Sequence, residues 1–463
     1  MKLRSSILIC LLVLLTILPG CLRQKAANVA APNENINLTF YGLFDSEEIY
    51  TPLIQEFESA NRNVNVVYKK FLDPESYLDL IINELAEGEG PDIFMVHNSW
   101  LPKHYKKLTP APQTIVNPEV FRSLFVEVTQ EDLIIPDEAG QEQVWGLPLY
   151  VDPLALLYNK DHLEDAIPTQ GRPSNTWEGI QEDVTLLNRA DQSFERFERT
   201  GIALGRTDNI LRSFDILMSM MLQFKVDIYN EDLTEVIFKS DPNAIAALNM
   251  FTSFALPSKK NYSWNPFLSD PNSEEKEITT FASGKTSMIM GYTYTYQDVL
   301  DEITRLTAQG KTVIKATDVK TQETPQAFNP ETSAETREAY ASYFVPVVSR
   351  TSQHSTEAWT FLAGLVSDEN LTYYNEKTHR PSPLRTLITD QMSDPIYGVF
   401  AAQVGYAKSI PMADPKAYEE IFLAGVENIL DTVRIEDVLK LITESLQQLI
   451  PTNGIKPTYV STE

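Results

Sequence analysis

The chain has 463 residues, and 38 Lys and Arg stand against 64 Asp and Glu, a formal net charge of −26. Such acidity excludes a nucleic-acid partner, whose phosphates need a basic surface, and argues against peripheral docking on anionic lipid; it reads as a device for solubility. The length allows two or three domains with cores large enough to need no disulfide staple.

Lys2 and Arg4 precede an apolar run from Ile7 to Leu18, followed by Pro19, Gly20 and Cys21. A charged start, a short apolar segment and a small residue before a cleavage point describe a secretory signal. The run is shorter than the roughly 20 apolar residues a bilayer span requires. The segment ending at Cys21 resembles a bacterial lipobox, which implies a signal peptide over 1–20 and lipidation of Cys21. The second cysteine, Cys10, lies in the part to be removed. The mature body then has no thiol for a disulfide, a metal or a nucleophile. Residues 21–35 are polar, Ala-rich and unpatterned, and read as a flexible tether.

The body alternates strand and helix patterns, the mark of an α/β fold with mainly parallel sheets. Asn37–Tyr41 is a short strand, and Ser46 can cap a helix whose apolar face is Ile49, Tyr50, Leu53, Ile54 and Phe57. Val64–Tyr68 is a second strand, Tyr77, Leu80, Ile81 and Leu85 mark a second helix, and Asp92–Val96 is a third strand. Ligands in open α/β sheets sit beyond the carboxyl ends of strands, which makes 41–45 and 97–100 pocket candidates. Leu154–Tyr158 is a continuous apolar strand, buried on both faces. Helices are predicted at 176–190, 209–224, 242–256 and 274–283, and a strand at Thr286–Met290. Tyr292, Tyr294 and Tyr296 then alternate, so that only one of the first two can face a given side of a strand. Residues 318–338 read as an exposed loop and Tyr343–Val348 as a strand. Helices at 353–366, 414–431 and 435–449 follow, with a tail at 451–463.

Catalytic and metal patterns are weak. Ser283-Gly284-Lys285-Thr286 imitates the end of a phosphate loop, but Thr279 stands where that motif needs Gly. His97, His104, His162, His354 and His379 show no metal-ligand spacing, and no nucleophile elbow is present. No cofactor, metal or catalytic residue is expected. Acidic residues are too abundant for spacing alone to reveal a glycosidase pair.

Several blocks together resemble the bacterial family 1 extracellular solute-binding proteins, which include maltose-binding protein. They are Gly90-Pro91-Asp92-Ile93-Phe94 with Trp100-Leu101-Pro102; Trp145-Gly146-Leu147-Pro148 with Asp152 and Leu157-Tyr158-Asn159-Lys160-Asp161; Thr176-Trp177-Glu178; Phe281 to Met288 ending at Gly291; and Ser355 to Leu362 followed by Ser367-Asp368-Glu369-Asn370. Their order spans about 37 to 450. The resemblance implies a type II periplasmic-binding-protein-like fold: two lobes, each a mainly parallel sheet flanked by helices, joined by a hinge. Lobe one is expected at 36–150 plus 312–366 and lobe two at 153–311 plus 367–450. Val151-Asp152-Pro153 is the expected first hinge strand, with a second near 310. It further implies a monomeric receptor of an ABC importer, held to the membrane by its N-terminal lipid, that closes on a carbohydrate and delivers it to a membrane permease. Alternatives are a peptide, polyamine or other nitrogenous solute, or a secreted glycan-acting enzyme on the same scaffold.

A sugar needs aromatic platforms for its C–H faces and planar polar groups for its hydroxyls. Trp100 follows the third strand, as pocket lining or as packing. Asn98 stands where maltose-binding protein has a ligand-binding carboxylate. Asp152 matches the family's hinge acid, a ligand contact or a hinge cap. Tyr292 and Tyr294 follow Gly291, where the family places a pocket aromatic. Phe44 lies in the loop before the first helix, and Asn209 at a helix start where the family presents polar groups. Trp264 and Tyr418 are aromatic candidates from lobe two, weighed against core burial. Arg380 lies where the family has a Gly-containing turn, with His379 in place of the Gly, and could bind ligand hydroxyls or a carboxylate or be a surface ion-pair partner.

Overall fold

A computed structural model of the chain describes residues 35–191, 197–329 and 337–456. The signal segment, Cys21, nearly all of the tether and the end of the tail lie outside these residues. No helix among the described residues is long and apolar enough to cross a membrane.

Buried apolar side chains fall into two separate cores. The first is drawn from 36–151, 341–365, Leu371, Tyr374, Leu384, Val404 and Ala407. The second is drawn from 154–319, Tyr340 and 410–446. The chain therefore crosses between cores three times. The crossing segments, Asp152–Pro153, Ala339–Ser342 and Ala407–Lys408, pair with one another in a small sheet of their own. Main-chain hydrogen bonds thus tie the three connections into one narrow strip on which two rigid cores can pivot.

This partition moves two expected boundaries. Ile314 and Val319 still pack in the second core, so the return crossing is at 339–342 rather than near 310. The helix Asp368–Thr378 sends Leu371 and Tyr374 into the first core, so the final crossing comes some forty residues after 367. The first crossing lies at Asp152–Pro153.

The first core is built on strands Phe344–Val348, Ile93–His97, Ile36–Leu43 and Val64–Phe71, in that order. The last three run parallel, as their short βαβ connections require, and Phe344–Val348 adds antiparallel to Ile93–His97. Gly42 allows close packing here: a Cβ would stand 2.3 Å from the Tyr68 ring. The helices Glu47–Ala60 and Pro74–Glu87 flank the sheet, and the second is capped by Asp73, whose carboxylate accepts from the Ser76 N–H. Ser46 occupies the cap position of the first helix without a side-chain bond to it.

In the second core Ala155–Asn159 is the central strand, fully apolar through Leu157 and paired on both edges. Its partners, Met288–Gly291 and Val319–Glu323, both run antiparallel to it, unlike the mainly parallel sheet expected for each lobe. The helix Thr293–Ala308 between those partners returns the chain to the same end. The two edge strands therefore run together, and the strand leaving the hinge opposes both. The segment 318–338, expected as a loop, supplies one of these edges.

Candidate functional site

Four rings meet at the carboxyl ends of the first sheet's strands. Phe344, at the start of the antiparallel strand, is their hub. It lies 5.5 Å from Phe44, 5.0 Å from His97 and 5.4 Å from Trp100, all edge to face. Phe44 has φ 68°, and the Asp45 N–H donates back to the Leu43 carbonyl at 2.8 Å. A left-handed backbone at a bulky residue is strained, and here it turns the Phe44 ring outward, 37% exposed. Burial drives the His97 imidazole down to about 3, helped by the charge of Arg212. The ring is neutral and fixed between the hydroxyls of Ser99 and Ser342 at 2.7 and 2.8 Å.

Arg212 lies between Ile210 and Phe214 of the second core, and its charge is felt at His97 of the first lobe. It stands at the N-terminus of the helix Ser213–Gln223, with its guanidinium 5.7 and 5.5 Å from the rings of Tyr292 and Tyr294. Arg212, Tyr294, Asp298 and Glu419 all have solvent-exposed surface, yet surrounding protein desolvates each of them. Exposure combined with desolvation is the property of a cleft wall. Desolvation, with the neighbouring Asp301 charge, lifts the Asp298 carboxyl to about 6. Tyr292 is buried and donates its hydroxyl to Asp215 at 2.9 Å.

The turn that presents Arg212 is held from behind. Asn209 is wholly buried. Its amide donates to the carbonyls of Asn265 and Ser269 at 3.0 and 3.4 Å, and its Oδ1 accepts from Trp264 Nε1 at 2.9 Å. Glu277, pushed up to about 7 by burial, accepts from the Leu211 N–H at 3.1 and 3.0 Å. Asn209 and Trp264, expected at the ligand, are therefore supports; the side chain that reaches the cleft is Arg212, three residues later.

Other expected contacts also prove internal. Asn98 is 4% exposed; its amide donates to Asp132 at 3.0 Å and its carbonyl accepts from the Tyr343 N–H at 3.3 Å. Tyr418 is buried and its hydroxyl meets that of Tyr229 at 2.7 Å. Asp152, 2% exposed, accepts from the Thr293 N–H at 3.2 Å and from Thr293 Oγ1 at 2.6 Å. It acts as a hinge cap on the helix Thr293–Ala308, and burial lifts its carboxyl to about 7. The alternation of Tyr292 and Tyr294 was expected to divide them between two sides, but that helix begins at Thr293 and both rings turn toward Arg212.

Beside the hinge, Arg380 pairs inside the protein. Its Nη1 donates to both oxygens of Asp45 at 2.9 and 3.0 Å and to the Tyr374 hydroxyl at 2.8 Å, and its guanidinium lies 4.3 Å from the Tyr150 centroid. The segments 41–45 and 97–100, marked from topology, contain Asp45 and His97 without a role for either, and Phe344, Arg212, Tyr150 and Tyr374 were not found. Position after a strand pointed to His97, but its lack of metal spacing hid it; Phe344 and Arg212 carry no local motif. Among the described residues no group of three His, Cys, Asp or Glu is placed to hold a metal ion.

The comparisons agree with this architecture. No curated protein matches the chain at a significant level. Among solved structures, the sugar-binding protein MalE of Xanthomonas citri superposes with a TM-score of 0.70 at 16% identity, covering 89% of this chain and 97% of that one. The cyclic alpha-maltosyl-1,6-maltose binding protein of Arthrobacter globiformis gives 0.69 at 14%, covering 89% and 98%. A solute-binding protein of an ABC transporter from Thermotoga lettingae TMO, bound with alpha-D-tagatose, gives 0.67 at 19%, covering 89% and 99%. These likenesses establish the two-lobed fold. The family profile described as bacterial extracellular solute-binding protein matches residues 52–423. The chain belongs to that family, whose members act outside the cytoplasm.

Proposed function

We propose that the chain is the lipid-anchored receptor of an ABC importer, capturing a carbohydrate between its lobes and passing it unaltered to a membrane permease. The observation that carries this reading is the pairing of two unlike cleft walls. The first lobe offers the ring faces of Phe44, Trp100 and Phe344. The second offers Tyr294 with the planar, multidentate groups of Arg212 and Asp298. Aromatic faces suit the C–H face of a sugar ring, and guanidinium and carboxylate suit its hydroxyls. The fold neighbours named for tagatose and for the cyclic maltosyl sugar support the same class. Ligand that touches both walls binds the closed form better and shifts the lobes toward it. Cys21 supplies the anchor, and the mature chain works as a monomer.

A thermal-shift screen of mono- and oligosaccharides tests this. At least one sugar raises the melting temperature of the wild type, since a ligand of the native state stabilises it by mass action. The same sugar leaves Arg212→Ala and Trp100→Ala unshifted. A panel of sugars without effect, alongside a shift by peptides, transfers the receptor to another solute.

A further inference from the structure

The end of the chain links the two cores a fourth time. The helix Ile435–Gln447 sends Val438, Leu439, Ile442 and Leu446 into the second core. The tail then turns at Gly454, φ 83°, whose N–H donates to the Pro451 carbonyl at 2.9 Å. A Cβ there would stand 2.9 Å from the Asp232 carbonyl oxygen, so glycine lets the tail lie close against that turn. The Ile455 N–H donates to the Leu233 carbonyl at 3.2 Å, and its side chain is buried. Lys456 leaves this lobe. Its ammonium donates to the Glu131 carbonyl at 2.6 Å, in the helix Glu127–Leu133, whose Val128 and Leu133 belong to the first core. Carbonyls in the last turn of a helix lack intrahelical donors and carry the negative end of its dipole, so they favour a cation. Burial holds the ammonium below the ordinary lysine range, opposed by the charges of Asp132 and Glu131. The next residue, Asp132, is a junction. It accepts from Ser409 Oγ at 2.5 Å, just past the third crossing, from the Tyr343 hydroxyl at 2.7 Å, just past the second, and from the Asn98 amide at 3.0 Å, beside His97 of the cleft.

We propose that residues 454–456 are a strap that holds the two lobes in the orientation seen here, with the cleft rims together. Its two ends rest on different cores, and it is no part of the three crossing segments. Rotation of the lobes about the crossing strip therefore pulls Lys456 off Glu131. The rim pairs Lys103–Asp414 and Glu75–Lys416 are made in this same orientation, so the strap and the rim contacts favour one state. A contact present in one of two states shifts their ratio toward it. The strap acts on the lobes without solute, so the proposal stands apart from what the cleft binds.

The test is a distance measurement across the rim by pulsed electron spin resonance, with no solute added. The mature sequence has no cysteine besides Cys21, so the chain with Cys21→Ser takes labels only at Leu72→Cys and Ala424→Cys. Both sites are exposed, one near Glu75 and the other on the helix that carries Lys416. With Lys456 in place the short distance dominates. Lys456→Met, and separately a chain ending at Ile455, raise the ratio of long to short distances about tenfold, in keeping with the loss of a charge-assisted hydrogen bond. Lys456→Arg keeps a cationic donor and stays with the parent. Unchanged distances in Lys456→Met and in the shortened chain overturn the proposal. So does a move toward shorter distances, or a shift in Lys456→Arg as large as that in Lys456→Met.

Discussion

Arg380 and Asp45 form a charge pair with side chains only 12% and 5% exposed. Removing one member leaves the other buried and unpaired, so Arg380→Ala is expected to cost about 3–5 kcal/mol, measured as a fall in the urea midpoint. Arg380→Lys recovers only part of this, because a compact ammonium loses the planar contact that the guanidinium makes 4.3 Å from the Tyr150 centroid. Asp152 makes a prediction in pH. Its carboxyl keeps its proton up to about 7 in the fold, whereas an unfolded Asp releases it near 3.9. The native state binds more protons between those values. The contribution is therefore greatest below about pH 4 and declines as pH rises toward 7. Urea unfolding of wild type and Asp152→Asn across that range shows wild type losing stability relative to the variant as pH rises; a flat difference contradicts the assignment. Asn209→Ala leaves the buried Trp264 Nε1 without its acceptor. It is expected to destabilise by about 1–3 kcal/mol.

At the scale of elements, the strand Met288–Gly291 hands directly to the helix Thr293–Ala308, and that junction sets both tyrosines. A Cβ at Gly291 would stand 2.4 Å from Thr295 Oγ1, the atom that accepts the Tyr292 N–H at 3.1 Å. Gly291→Ala is expected to displace the helix start, lower stability by about 1–3 kcal/mol as overpacking does, and weaken solute binding, read in one titration calorimeter series. The same junction shows where a sequence can and cannot be read. The βαβ unit over 36–97 was legible because each element has its own hydrophobic period and closes locally. The long helices near both ends of the second core were legible for the same reason. Tyr292-Thr293-Tyr294-Thr295-Tyr296 carries strand-like alternation, but Asp152, distant in sequence, caps a helix there. Residues 319–323 are polar and looked like a loop, yet they find a free edge beside Ala155–Asn159. Phe44 and Tyr294, expected at the ligand from their places after strands, keep exposed rings. Asn209 and Trp264 were misplaced because polarity and aromaticity do not tell a cleft contact from its support. Arg212 needed the tertiary packing that turns it outward.

For the whole molecule, the three hinge segments hold two cores that meet across the cleft rim through charge pairs. Lys103 of the first reaches Asp414 of the second at 2.5 Å, and Glu75 of the first meets Lys416 of the second at 3.2 Å. These groups are exposed, so their effect belongs to low ionic strength. Lys103→Glu with Lys416→Glu is expected to enlarge the radius of gyration in low-salt X-ray scattering, and added salt to narrow the difference. In the proposed function the two cores grip a solute and release it unchanged. Native mass spectrometry of the mature protein mixed with an oligosaccharide pool tests it most directly. The expected result is a 1:1 complex whose sugar, freed by denaturation, has its starting mass, and which is lost in Arg212→Ala. A released sugar of altered mass, or no complex with any sugar, contradicts it.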